Sequence, residues 1–371
     1  MNHLLNSLGN IPTPALLINE KILRNNLHAM QELANKNNVC LRPHTKTHRT
    51  PEIARMQLEY GSLGITVATT GEAECMHAAG IQDIFIANEI ADEEKLIRLH
   101  RLIALGCDLK IGVDNPYHVE LAQSVFNGSK NPLKVLIEID VGDGRAGLQD
   151  FQTALSLAKN IKEMKNLEFS GIFSHEGQSY GAATVEECRK ISNESHFKTV
   201  EIASKLKASG VEVRTVSVGS TPSIMTTPIL EGVTEIRPGT YPLMDASQAG
   251  VINSFDSCAA AILTTVISKP VKGRIVLNAG AKAITGQIVR NGITKNDGFG
   301  YLKDYDVWIN SFFDEHTVII DNAFYSKVRV GDKVEIIPNH ICPAVNLYDY
   351  FYLFSEDGYK KIIIECRGKS V

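Results

Sequence analysis

The chain lacks the marks of several protein classes. It has no basic excess: 38 Lys and Arg against 42 Asp and Glu leave a formal charge of −4. That offers no electrostatic footprint for nucleic acid or anionic lipid and points to a small-molecule partner. No stretch reaches the ~18 apolar residues of a membrane span. Met1-Asn2-His3-Leu4-Leu5-Asn6-Ser7 has no basic segment leading into a long apolar run, so a cytoplasmic location is expected. The seven cysteines are odd in number and form no CxxC pair, which fits reduced thiols better than a disulfide framework. Cys40, Cys75, Cys107, Cys188, Cys258 and Cys366 read as small buried hydrophobes, and only Cys342 invites a functional reading.

What is present is a long chain with material for a large core. With 371 residues, 44% hydrophobic and 22% charged, two domains are expected. From about residue 15 to 250, short β-rich apolar runs alternate with helical patterns, as in parallel βαβ units. Eight strands are expected, at 39–42, 65–69, 84–87, 109–113, 134–140, 169–174, 214–218 and 234–237. Helices fall between them, with apolar residues at three- and four-residue spacing such as Ile22, Leu23, Leu27, Met30, Leu33 and Leu96, Ile97, Leu99, Ile103. The pattern describes a (β/α)8 TIM barrel over residues 12–250. A doubly wound sheet is the alternative, but a glycine fingerprint after the first strand is missing. From 251 to 371 β-rich segments follow one another without helices, which predicts an antiparallel β domain.

In such barrels chemistry is built at the carboxyl ends of the strands, with phosphate held after strands seven and eight. Strand seven runs into Gly219-Ser220-Thr221-Pro222-Ser223 and strand eight into Pro238-Gly239-Thr240-Tyr241. Glycines admit backbone amides to an anion, and the hydroxyls of Ser220, Thr221, Thr240 and Tyr241 add donors. Singly, each loop is more often an ordinary turn; their joint position favours a phosphate cradle. Strand one ends in Arg42-Pro43-His44-Thr45-Lys46-Thr47-His48, which crowds Lys46 among cationic and imidazole neighbours. A desolvated lysine beside like charge becomes a usable amine nucleophile, although most lysines after strands are simply solvated. Strand five delivers Arg145, and strand six delivers His175 and Tyr180. The alternative for Arg145 is a surface loop charge paired with Asp143, since exposed ion pairs are common.

In the second domain Pro338-Asn339-His340-Ile341-Cys342-Pro343 follows an apolar strand. Residues two apart in extended chain share a face, so imidazole and thiolate can meet on one ion. By spacing alone a buried His and Cys is the commoner case. A catalytic site with open positions is the alternative, and sulfur with imidazole suits zinc.

Together these segments, with Pro12-Thr13-Pro14-Ala15-Leu16-Leu17, Gly64-Ile65-Thr66-Val67-Ala68-Thr69 and Glu72-Ala73-Glu74, resemble in order the fold-type III pyridoxal-phosphate enzymes of the D-serine dehydratase/D-threonine aldolase family. The resemblance implies an alanine racemase-like fold in which residues 1–11 add to the β domain. It implies that Lys46 holds pyridoxal 5'-phosphate as a Schiff base, that Arg145 lies near the pyridine nitrogen, and that His175 and Tyr180 flank the ring. A guanidinium only donates, so the ring nitrogen stays unprotonated and the ring is a weaker electron sink. The resemblance also makes His340 and Cys342 the metal pair, for zinc or else manganese, and implies a head-to-tail homodimer. Asp314-Glu315-His316 resembles a family segment near the site, with Glu315 or His316 orienting a ligand.

The aldolases more often look like His-x-Asp, so Cys342 favours dehydration of D-serine, D-threonine or another 3-hydroxy-D-amino acid to a 2-oxo acid and ammonia. Retro-aldol cleavage to glycine and an aldehyde is the nearest alternative. An amino-acid racemase and a non-catalytic cofactor carrier follow; a racemase needs a second base that the sequence does not identify, and a carrier has no use for a metal pair.

Overall fold

The structure is a computed structural model and describes residues 10–371. Its contacts define two compact units. The barrel unit holds residues 30–46, 51–239 and 368–371; the β unit holds residues up to 29, 47–50 and 240–367.

The first strand, β1 (Ala15–Asn19), belongs to the β unit. The barrel unit contains β2 (Cys40–Leu41), β3 (Ile65–Val67), β4 (Asp83–Glu89), β5 (Asp108–Val113), β6 (Leu133–Ile139), β7 (Leu167–Ser174), β8 (Thr215–Val218) and β9 (Glu235–Ile236). They pair in parallel in the order β2-β9-β8-β7-β6-β5-β4-β3. A parallel bridge between His44 and Thr66 joins the two ends of that order. Beside it Leu63 N donates to Leu41 O at 2.9 Å and Thr66 N to Pro43 O at 2.8 Å. Strands covered on both faces need apolar residues at nearly every position, and six of the seven residues of β6 are buried.

Between the strands, side chains of Thr69, Asp92, Asn115, Asp150 and Thr184 accept first-turn N–H groups and start helices at Thr70, Glu93, Pro116, Phe151 and Val185. Each such cap contributes about 1 kcal/mol. Inside, Phe85, Leu136 and Phe173 form a buried cluster, with Phe85 and Phe173 edge to face at 5.1 Å. Gly171 in β7 has φ +149°, and a Cβ there would come within 2.0 Å of Thr215 O, so neither the backbone nor the neighbouring strand accommodates a side chain.

The β unit adds β10 (Ala260–Ser268), β11 (Arg274–Leu277), β12 (Tyr301–Leu302), β13 (Val307–Trp308), β14 (Ser311–Phe312), β15 (Thr317–Ile320), β16 (Lys333–Ile336), β17 (Tyr350–Ser355) and β18 (Gly358–Ile363). Its main sheet runs β14-β15-β11-β10-β1-β17-β18, with β16 also on β10 and a small β12-β13 pair apart. β1 is antiparallel to β10 and parallel to β17, and its Ala15 and Leu17 pack with Ile11, Leu263, Tyr352 and Phe354. The expected participation of residues 1–11 falls mostly on residues 1–9, outside the described residues.

The barrel with an antiparallel β domain is therefore the fold that the alternating pattern predicts. The expectation of a helix-free β domain is corrected: short helices occupy Ala281–Ile284, Asn322–Lys327 and Ile341–Val345. Single turns of this length carry too few residues for a readable period; Asn322–Lys327 is held by the Asp321 carboxylate accepting Phe324 N. Among the described residues no helix is long and apolar enough to cross a membrane.

Candidate active site

Past β2 the chain turns through a single 3-10 turn, Thr45–Thr47, pinned by Thr45 Oγ1 donating to Thr66 O at 3.1 Å. Lys46 enters on this turn, and its backbone N–H reaches His44 Nδ1 at 3.4 Å. Burial, then the charge of Lys46, then Arg237 and His175, hold His44 well below the ordinary imidazole value. His175, at the end of β7, is brought down to about 4, chiefly by burial and with Lys46, Arg145 and Arg237 adding to it against Glu176. Both imidazoles are therefore neutral near pH 7. Lys46, Arg145 and His175 thus meet electrostatically at one end of the barrel unit, and Tyr180 lies 6.4 Å from His175 between ring centroids.

Arg145 is 60% exposed, with Asp143 at 3.7 Å and Glu138 at 3.8 Å. Its loop is preformed by Asp140, which accepts Gly142 N at 2.9 Å and Gly144 N at 3.2 Å. The buried guanidinium of this end is Arg237, which sequence reasoning did not select. It donates to Ser217 Oγ at 2.6 Å and Ser174 O at 2.7 Å and lies 5.2 Å from the centroid of the Phe173 ring. Its place just before Pro238-Gly239 was the one hint in the sequence, and its burial was not among the things the sequence could show. Glu138 was missed as well. Burial, and then Glu89 beside it, push its carboxyl far above the usual range against the pull of Arg145 and Arg237.

Gly219 has φ +115°, a backbone that L side chains rarely adopt, and it leads into Ser220 before the turn Thr221–Thr226. Ser220 Oγ is buried with no hydrogen-bond partner. A buried hydroxyl of this kind has a hydrogen to donate to a ligand or an ordered water. Thr221 is buried beside it. Gly239 ends the barrel unit, whereas Thr240 and Tyr241 begin the main segment of the β unit. Thr240 accepts Met244 N at 2.8 Å through its carbonyl, and its hydroxyl lies 3.9 Å from Cys342 Sγ.

In the β unit His340 is the N-cap of Ile341–Val345, and Cys342 lies in the first turn. The strand alternation expected for this pair is thus replaced by a helix start. Pro343 fits there because first-turn N–H groups have no intrahelical acceptor. Buried Asp245 anchors the turn, accepting Ile341 N at 3.0 Å and Gln248 N at 2.8 Å. His340 Nδ1 lies 2.8 Å from Gln287 Oε1, and Cys342 Sγ lies 3.2 Å from Thr47 Oγ1. Among the described residues no three His, Cys, Asp or Glu side chains form a metal-sized group. Glu315 pairs with Lys282 at 2.8 Å, both more than half exposed.

Residues 18–246 match the family model described as alanine racemase, N-terminal domain, and residues 259–354 match the putative serine dehydratase domain. A D-threonine aldolase from Arthrobacter sp is 31% identical over 92% of this chain and 89% of its own. A D-serine dehydratase from Dictyostelium discoideum is 30% identical over 96% of this chain and 97% of its own. Among solved structures, the D-threo-3-hydroxyaspartate dehydratase from Delftia sp. HT23 superposes with a TM-score of 0.89 at 27% identity, covering 96% of this chain and 98% of that one. The fold and both domain matches agree with these relatives: the chain belongs to the fold-type III pyridoxal-phosphate enzymes of the D-serine dehydratase and D-threonine aldolase family.

Proposed function

We propose that this chain, a pyridoxal-phosphate-dependent lyase, dehydrates and deaminates D-serine and related 3-hydroxy-D-amino acids to 2-oxo acids and ammonia. The observation that carries the reading is the setting of Lys46 on the turn Thr45–Thr47, its backbone N–H at 3.4 Å from His44 Nδ1, beside imidazoles of His44 and His175 that burial first, and the Lys46 charge after it, hold below their ordinary value.

The residues fit the cofactor. Lys46 offers the amine, the unpartnered Ser220 hydroxyl offers a donor to a phosphate, and Gly219, Thr221, Gly239, Thr240 and Tyr241 complete the proposed cradle. His340 and Cys342 offer one imidazole and one thiolate, a donor set that suits zinc and, with only two protein ligands, leaves positions open. Bound in these places, the cofactor supplies an electron sink for charge at Cα and the divalent ion supplies Lewis acidity for a β-hydroxyl.

The chain's own groups divide the remaining work. Lys46 Nζ, released from its covalent bond, takes the proton from Cα. His44 and His175 stay neutral, so they add no cationic charge beside Lys46. Arg145 and Arg237 can only donate, and a ring nitrogen facing either stays unprotonated. With a weaker sink, expulsion of the β-hydroxyl benefits from help at the leaving oxygen, and the sulfur of Cys342 in place of an aspartate favours this outcome.

Retro-aldol cleavage is the second reading, supported by the 31% identical D-threonine aldolase. It differs in the proton removed, from the hydroxyl rather than from Cα. Purified protein incubated with D-serine and D-threonine, with and without chelator, separates the two. Oxo acid and ammonia support dehydration; glycine and an aldehyde replace it with cleavage. Borohydride trapping that labels any side chain other than Lys46 overturns both.

A further inference from the structure

Glu176, His196 and Ser223 arrive from three elements of the barrel unit and meet with no surface exposed. Glu176 follows β7 and precedes the turn Gly177–Gly181, His196 lies within the helix Val185–Ala208, and Ser223 lies in the turn Thr221–Thr226. Ser223 Oγ donates to Glu176 Oε1 at 2.5 Å, while His196 Nε2 lies 3.6 Å from Glu176 Oε2 and 3.5 Å from Ser223 Oγ. Burial works against the Glu176 charge, yet the neighbouring His196 and the Ser223 bond outweigh it and leave the carboxyl well below the usual range. An enclosed carboxylate is costly unless donors and an opposite charge hold it. The proposed chemistry assigns none of these three a step.

Their chain neighbours explain the placement. Glu176 adjoins His175, and Ser223 lies three residues after Ser220, whose hydroxyl is buried and unpartnered. The Ser223 to Glu176 bond is a side-chain tie between the loop carrying His175 and Tyr180 and the loop carrying Gly219 and Ser220. We propose that the Glu176–His196–Ser223 cluster is a positioning device that locks these two loops together and thereby sets Ser220 for the phosphate of the cofactor. This rests on reading Lys46 as the Schiff-base lysine and Gly219–Thr221 as the phosphate cradle. The cluster acts through Ser220 and touches no reacting atom.

The test compares pyridoxal 5'-phosphate with pyridoxal, which lacks the phosphate. Each aldehyde is titrated into the full-length apoprotein, and imine formation is read by absorbance. Ser223→Ala and Glu176→Ala are expected to weaken pyridoxal 5'-phosphate about tenfold or more, the scale of one hydrogen bond to a charged group, and to leave pyridoxal unchanged. Glu176→Gln keeps an acceptor for Ser223 and is expected to restore most of the phosphate preference. Where Glu176→Ala fails to fold, Ser223→Ala carries the comparison, with thermal unfolding of the apoprotein as the check. Equal weakening of both aldehydes, an unchanged phosphate preference in Ser223→Ala, or Glu176→Gln no better than Glu176→Ala overturns the positioning role. Wild-type protein that forms no imine with either aldehyde overturns the reading of Lys46 first, and this inference with it.

Discussion

Thr47 Oγ1 lies 3.2 Å from Cys342 Sγ, so the residue that follows Lys46 in the chain is in contact with one of the two proposed metal ligands. Within the β unit, one hydroxyl and one sulfur thus bring Thr47 against the His-x-Cys turn. Lys46 needs no metal to form an imine, whereas loss of the β-hydroxyl does need help. Cys342→Ala is therefore expected to leave borohydride trapping at Lys46 intact. D-serine turnover should fall by more than the roughly 10–100-fold typical of losing an outer partner of a metal ligand. Turnover that survives in Cys342→Ala under chelator removes the metal from the scheme.

His340 is held by Gln287, with Nδ1 to Oε1 at 2.8 Å. An amide oxygen can only accept, so Nδ1 carries the hydrogen and Nε2 is left as the lone-pair donor. Gln287→Ala frees the ring to rotate and to change tautomer. Metal affinity, measured by competition against a chromophoric chelator, is expected to fall roughly 10–100-fold. An unchanged affinity shows that this amide does not orient the imidazole.

Arg42, the residue after β2, is buried with its guanidinium between Asp83, the first residue of β4, and Glu235, donating to them at 2.6 Å and 2.7 Å. It ties β2 to β9 and to β4, close to where the sheet closes. Replacing it with methionine fills the volume but takes the cation from buried Glu235 and leaves Asp83 with Lys110 alone, a loss of about 3–5 kcal/mol by the general cost of breaking a buried pair. Burial pushes the Asp83 carboxyl up, but the hydrogen bonds and charges of Arg42 and Lys110 bring it below its usual value. A depressed acid stabilises above its unfolded value of about 3.9 and loses that contribution as pH falls through the folded value. Urea midpoints should show the deficit of Arg42→Met at pH 7 narrowing toward pH 3; a constant deficit rejects the ionic account.

The barrel was legible because its strands are covered on both faces, so runs such as Val135-Leu136-Ile137 are apolar at every position and stand out between helical periods. The His340–Cys342 turn was not. Its helix spans only Ile341–Val345 and is started by Asp245, a residue far away in sequence, so no local pattern announces it. Lys46 was marked by its own neighbours. Arg237 and Glu176 were not, because what distinguishes them is burial supplied by other strands and helices: Phe173 beneath one, His196 and Ser223 around the other. Single-residue chemistry can be read from the chain, but the partner that fixes its charge usually cannot.

Glu138 gives the barrel a pH dependence of opposite sign to that of Asp83. Its carboxyl is 5% exposed and is held far above the usual range, first by burial and then by Glu89. In the unfolded chain the same group ionises near 4.3. Between that value and the raised folded value the native protein binds a proton that the unfolded chain has released, so stability falls with rising pH, by at most about 1.4 kcal/mol per unit from this group. The contribution is complete below the unfolded value and lost as pH climbs through the folded one. Glutamine is neutral at every pH and close in shape to the protonated acid. Glu138→Gln apoprotein is therefore expected to match wild type near pH 4 and to exceed it at pH 8, with a flatter profile between. Denaturant unfolding at unit pH intervals reads the difference directly, and profiles that run parallel from pH 4 to pH 8 show that Glu138 is ionised in the native barrel.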